Sequence, residues 1–267
     1  MLRESQELLK YTLSATDGEI GKIADFYFDD RHWTIRYLVA NTGNWLTERL
    51  VLISPYALTS VDEERQTIAT GLTREQIEKS PPAESDRPVS RQFEASYYEY
   101  YNWPAYWFGP YAWGEYAYPA PIPPPAPIEA LAEEVQGNKE ISWDVHLRNV
   151  QDVEGYGVAA KDGEIGHVAD FLIDDKTWAI RYLVVDTRNW WPGKHVLVSP
   201  QWIERVSWVE RAVHVDLARD TIKDAPEYAR DSPITRDYEI ELCRHFGREG
   251  YWTQESCSRE AAEATPI

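Results

Sequence analysis

The residues of this sequence with the types for chemistry are acids, arginines, histidines, two cysteines and a run of aromatic rings. Asp29-Asp30 and Asp174-Asp175 are adjacent carboxylates, the oxygen donors that a hard cation such as Ca²⁺ requires. They lack the spaced Asp/Asn/Gly pattern of a calcium loop and fall between strand-like segments, so they read as turn residues satisfying backbone donors. Glu19, Asp25 and Arg36 recur as Glu164, Asp170 and Arg181. An acid on one strand and an arginine on the next predict structural ion pairs. His32, His146, His167, His195, His214 and His245 show neither HExxH nor His-x-His spacing, so no metal site is expected. Ser54 and Ser199 precede proline outside any GxSxG elbow, and Cys243 reads as a packed thiol. With no GxGxxG or phosphate loop either, the sequence assigns no catalytic, cofactor-binding or metal residues. It reads as no enzyme, with no cofactor.

Binding is the remaining chemistry. The segment Thr187-Arg188-Asn189-Trp190-Trp191-Pro192-Gly193-Lys194-His195 is basic and rich in tryptophan. Trp and Arg are frequent interface anchors, which makes Arg188, Trp190, Trp191, Lys194 and His195 candidate partner-binding residues. The alternative is that the tryptophans plug the end of a barrel. The aromatic run from Tyr97 to Tyr118 has three readings: a strap packed on the fold, a protein-recognition surface, or a platform stacking sugar rings. A packed strap is favoured because an unpacked run of this composition is an aggregation liability.

An internal repeat must position these residues. DGEIGKIADFYFDDRHWTIRYLVANTGNW (Asp17 to Trp45) returns as DGEIGHVADFLIDDKTWAIRYLVVDTRNW (Asp162 to Trp190), with 19 identities in 29 positions at an offset of 145. The offset holds through Ser54-Pro55 and Ser199-Pro200, Arg91 and Arg236, and Tyr106-Trp107 and Tyr251-Trp252. The chain is therefore read as units 2–107 and 147–252, joined by 108–146 and followed by an acidic tail, 253–267. Within each unit, Asp-Gly marks a hairpin, and runs such as Trp33 to Ala40 read as buried strands. Ser54-Pro55 stops the strand Leu50 to Ile53. Thr73-Arg74-Glu75-Gln76 predicts a capped helix, and Phe93, Tyr97 and Tyr101 predict a second. Its counterpart carries Tyr238, Leu242 and Phe246, closed by Gly247. Eight of the 17 prolines lie between Pro104 and Pro127, which makes the connector proline- and aromatic-rich.

Forty-five Asp and Glu against 27 Lys and Arg leave a net charge of −18. That balance opposes nucleic-acid binding, which needs clustered cations. The N-terminus has no apolar signal-like core and no stretch is long enough to span a bilayer, so no transmembrane segment and a cytoplasmic location are expected. Two cysteines build no disulfide framework.

The pattern DGEIG-xx-ADF-xx-DD-xxW-xIRYLV-xxT-xNW, followed by VL-x-SP and a short helix, resembles the PRC-barrel family, named for the cytoplasmic domain of the photosynthetic reaction-centre H subunit. The resemblance covers Leu8 to Pro81 and Val153 to Pro226. It implies a mainly β fold of two small antiparallel β-barrels with short C-terminal helices, used as adaptor surfaces. The function expected is a tandem scaffold binding a protein partner, self-association included. Two alternatives are a soluble H-subunit-like protein associated with a photosynthetic or electron-transfer membrane complex, and carbohydrate binding through the Tyr/Trp segment. The resemblance also implies proton relay as an alternative role for the recurring acids and arginines.

Overall fold

A computed structural model describes residues 1–46, 49–81, 89–120, 147–187, 194–230 and 232–253. In chain order the first repeat forms β1 (Leu2–Glu4), α1 (Ser5–Leu8), β2 (Thr12–Ala15), β3 (Gly18–Asp29), β4 (Thr34–Asn41), β5 (Leu50–Ile53), β6 (Leu58–Asp62), β7 (Thr67–Thr70), α2 (Arg74–Glu78) and α3 (Arg91–Tyr101). The second forms β8 (Leu147–Asn149), α4 (Val150–Val153), β9 (Gly157–Ala160), β10 (Gly163–Asp174), β11 (Ile180–Asp186), β12 (His195–Val198), β13 (Ile203–Ser207), β14 (Ala212–Val215), α5 (Arg219–Lys223) and α6 (Arg236–Phe246). From β3 through α3, nearly every boundary recurs 145 residues later.

The fold is mainly β, with two similar sheets and a few short helices. One sheet runs β5-β4-β3-β2-β7-β6 and the other β12-β11-β10-β9-β14-β13. The expectation of purely antiparallel barrels is corrected: each sheet is mixed, because β2 pairs parallel with β7 and β9 with β14. A hairpin between β5 and β6 would have reversed the chain once more and made β7 antiparallel to β2. Instead a 3-10 turn, Pro55–Ala57, capped by Ser54, separates them, and Pro200–Trp202 capped by Ser199 does the same in the second repeat. Among the described residues β5 and β6 are the unpaired ends of their path.

The chain divides into two compact units. Unit 1 holds Met1, Arg3–Asp152 and Asp174–Ala179; unit 2 holds Leu2, Val153–Ile173 and Ile180–Ile267. In unit 1, β8 joins the sheet by pairing antiparallel with the end of β3. The core of this unit is aliphatic and aromatic: Leu13, Ile20, Phe26, Phe28, Ile35, Leu38, Ile53 and Ile68 are fully buried. Unit 2 fully buries Ile165, Phe171, Ile173, Leu183, Val184, Val196, Leu197 and Val213, five of which match residues of that set at the offset of 145.

Two local devices bend the long strand. A Cβ on Gly21 would lie 1.9 Å from the carbonyl oxygen of Asn41, and one on Gly166 would lie 2.0 Å from that of Asp186. The second glycine of DGEIG is therefore demanded by a close backbone approach at a φ of about 150°. Just beyond it, the β3–β4 register skips a residue between Ile23 and Asp25, a bulge at Ala24; β10 skips likewise at Ala169. The bulge shifts the alternation, so Ile23 and Phe26 are both buried while Asp25 is only half-buried.

Helix starts follow their caps. Thr73 and Gln76 form the expected capping box on α2, while Ser90 and Thr235 cap α3 and α6. Gly247 closes α6 in the left-handed region, and Asn102 takes that conformation after α3.

Candidate functional site

Each unit contains the same buried polar node, joining the helical extension to β4 or β11. In unit 1, Glu94 on α3 is fully buried. Its Oε1 accepts the hydroxyls of Tyr37 at 3.0 Å and Tyr106 at 2.8 Å, and Arg91 Nη1 lies 3.1 Å from Oε2. In unit 2, Glu239 on α6 accepts the Tyr182 hydroxyl at 3.1 Å, pairs with Arg236 at 3.0 Å and is hydrogen-bonded by Tyr251. These residues correspond one for one at the offset of 145. Helix geometry explains Arg91 and Glu94: residues three apart share a face, and an acid in the first turn is favoured by the helix dipole. Burial, followed by the nearby Glu94 charge, pushes the hydroxyls of Tyr37 and Tyr106 well above the usual phenol range. In unit 2 Tyr251 is pushed up to about 12 for the same reasons, and burial raises Glu239.

A second arginine completes each node. Arg36 is the extra residue of a bulge on β4, since Tyr27 faces Tyr37 while Phe28 faces Ile35. Arg181 occupies the same bulge on β11. Bulges re-aim side chains. The guanidinium of Arg36 lies 3.7 Å from the Tyr106 ring centroid and that of Arg181 lies 4.0 Å from the Tyr251 ring. Arg91 and Arg236 cover Trp107 and Trp252 at 4.3 Å and 4.2 Å. The Tyr-Trp pair ending each repeat is thus a clamp: the tyrosine reaches the buried glutamate while arginines cover both rings.

Unit 1 adds a strap over its node. Arg36 is fully buried; it donates from Nη2 to Asp29 at 2.9 Å and from Nη1 to the carbonyl of Ala112. Trp113, also fully buried, lies 4.9 Å from the same guanidinium, meets Tyr56 edge-on and donates from Nε1 to the carbonyl of Thr177 at 2.8 Å. Asp29 holds Arg36 on one side and the His32 ring, 3.0 Å away, on the other. Although burial raises the Asp29 carboxyl, the His32 hydrogen bond and the Arg36 charge prevail and hold it well below the usual range. Tyr97, Tyr98, Tyr106 and Trp113 are buried, so the aromatic run packs as a strap. Tyr100, Phe108 and Tyr118 remain exposed from it.

The ion-pair expectation is corrected in its partners. Arg36 pairs with Asp29, a residue read as a turn former, and not with Asp25 or Glu19. Asp25 sits opposite Val39 in the ladder, and the bulge carries Arg36 toward the strand end. Asp25 Oδ1 instead accepts the backbone N–H groups of Phe26 at 2.7 Å and Gln151 at 3.4 Å. Asp170 is fully buried and lies 3.5 Å from Arg230. Glu19 and Glu164 are exposed, and neither joins these nodes.

Of the candidate partner-binding residues, Arg188, Trp190 and Trp191 lie outside the described residues. Lys194 donates from Nζ to the carbonyls of Lys223, at 2.6 Å, and Ala225. Arg49 does the same toward Glu78 and Ser80 at 3.3 and 3.2 Å. Both are cationic caps on the C-terminal carbonyls of a short helix. His195 lies 3.8 Å from buried Asp186, and its carbonyl accepts from Tyr228. Among the described residues, no three His, Cys, Asp or Glu side chains are grouped to hold a metal. No described helix is long and apolar enough to cross a membrane.

Glu94 and Glu239 were missed as candidate residues, although the offset marks them. Arg-x-x-Glu recurs as Arg91-Gln92-Phe93-Glu94 and Arg236-Asp237-Tyr238-Glu239, beside the recurring Tyr-Trp.

Comparison with known proteins locates one domain. Residues 147–222 match the model of the PRC-barrel domain. An uncharacterized protein of Deinococcus radiodurans is 37% identical over 95 residues, covering 35% of this chain and 33% of that protein. The chain thus spans about a third of the length of the curated relative it matches.

Proposed function

We propose that this chain is a non-enzymatic tandem PRC-barrel adaptor, in which both repeats are PRC-type domains and the product of the fold is a rigid protein-binding surface. The observation that carries this reading is the duplicated node. In both units the glutamate, the arginines and the tyrosines engage one another within the fold, fastening a helical extension to a sheet. Groups held this way position a surface. The strap of unit 1 leaves Phe108 and Tyr118, 41% and 50% exposed, as aromatic side chains of the type that interfaces favour.

Affinity purification of the full chain from its native host, with paired cross-linking and sizing of the purified protein, tests this. A reproducible protein partner, retained by the wild type and lost from Phe108→Ser/Tyr118→Ser or Trp191→Ala, is the expected result. A chain that stays partnerless and turns over a substrate overturns the proposal.

A further inference from the structure

The sheet of unit 1 is completed by a strand that belongs, by sequence, to the second repeat. β8 pairs with the end of β3 in the register Tyr27–Asn149, Phe28–Arg148 and Asp29–Leu147. Leu147 and Val150 are buried, Arg148 Nε reaches Asp30 Oδ2 at 3.4 Å, and Gln151 Nε2 donates to the carbonyl of Ala24 at 2.7 Å. The backbone N–H of Gln151 is received by Asp25. Five consecutive residues, Leu147 to Gln151, are thus docked on β3 as an arm. At the offset of 145, β8 stands where the first repeat has β1. The arm that fills the sheet of unit 1 is therefore not the one that precedes that sheet in the same repeat.

We infer that the β3 edge at Tyr27–Asp29 is a strand-acceptor site whose second occupant is the Leu147–Gln151 arm of another copy of this chain. Two observations single out that partner. The acceptor reads its strand through backbone bonds plus the contacts of Leu147, Arg148, Val150 and Gln151, a set that an identical chain supplies without any new contact. The arm also enters from outside the repeat it completes, so an arm from a second chain meets the same acceptor groups as the arm from the first. The balance between the two sources is one of effective concentration. Covalent attachment presents a chain's own arm at an effective concentration on the order of millimolar, so the closed chain dominates in dilute solution and exchange takes over as the protein concentration nears that value. The inference stands on the strand order and is independent of the adaptor role.

The test uses full-length chains in a Cys243→Ala/Cys257→Ser background. One population carries Tyr27→Cys alone, a second carries Asn149→Cys alone, and a third carries both. The double variant, refolded at about 10 μM, is expected to form a disulfide within one chain, which reports the observed register. The two single variants, mixed, unfolded and refolded together, can form the Tyr27–Asn149 cross-link only between chains. The covalent heterodimer on a non-reducing gel is expected to be scarce at about 10 μM and to approach about a quarter of the chains at about 1 mM, half of the exchanged dimers being mixed. Absence of heterodimer at every concentration, with the double variant cross-linking normally, overturns the exchange. Failure of the double variant to cross-link overturns the acceptor site itself.

Discussion

Arg36 lays its guanidinium 3.7 Å from the centroid of the Tyr106 ring while donating to Asp29 at 2.9 Å, so one buried cation joins strand, turn and helical extension. A planar, forked donor is needed to do both at once. Arg36→Lys keeps the charge but loses the stacking and the reach to the Ala112 carbonyl. We expect it to lower the stability of unit 1 by about 2 kcal/mol, read as an earlier urea midpoint with an unchanged slope. Wild-type stability in this variant would show that charge alone suffices.

The glutamate nodes are expected to respond in parallel. Removing one member of a buried, hydrogen-bonded ion pair strands its partners, at about 3 kcal/mol. Glu94→Ala leaves Tyr37, Tyr106 and Arg91 without their acceptor, and Glu239→Ala does the same to Tyr182, Tyr251 and Arg236. Arg236 is 50% exposed against 25% for Arg91, so water recovers more of the loss in unit 2. Thermal unfolding should therefore fall further for Glu94→Ala than for Glu239→Ala. Equal or reversed shifts would contradict the solvation argument.

Asp25 is expected to make folding stronger in mild acid. Burial pushes its carboxyl up to about 6, against the hydrogen bonds from Phe26 and Gln151, and the nearby Asp152 charge adds to the rise. The native state binds this proton more tightly than the unfolded chain, whose carboxyl titrates near 3.8. Its contribution to stability therefore grows as the pH falls through about 6 and is complete near 3.8. Asp29, held low, acts with the opposite sign, and its contribution is lost only once the pH falls below the unfolded value. Between about pH 7 and about pH 5 the urea midpoint should rise more in the wild type than in Asp25→Asn. Parallel pH profiles for the two proteins would remove Asp25 as the origin.

Lys194 separates packing from binding. As a cationic cap on the end of α5, its loss in Lys194→Ala should cost about 1 kcal/mol of stability, and Arg49→Ala should cost a similar amount at α2. Differential scanning calorimetry reads both. A Lys194→Ala chain of unchanged stability that loses its protein partner would return this residue to the partner-binding set.

Much of the architecture was legible in the residues. The offset of 145 located the matched strands, the Ser-Pro turns, the capping box at Thr73 and the glycine after α6, because these depend on short-range sterics and hydrogen bonding. The mainly β class followed from the same runs of β-branched and aromatic side chains. The partners of the buried charges were not legible. An acid on one strand and an arginine on the next suggested pairing Asp25 with Arg36, whereas bulges at Ala24 and at Arg36 itself changed the facing residues and delivered the arginine to Asp29. A one-residue bulge leaves no clear mark in hydrophobic periodicity, yet it turns a side chain to another face.

The sequence by itself determined that this protein is a duplication, and which residues recur in it. Only the tertiary structure decided what the recurring residues do. It made Glu94 and Glu239 clamps, Lys194 a helix cap, the aromatic run a packed strap, and β8 a strand of the sheet in unit 1. Strand pairing and buried ion pairing join residues far apart in the chain. Their free energy depends on register, burial and exclusion of water, which local sequence does not encode.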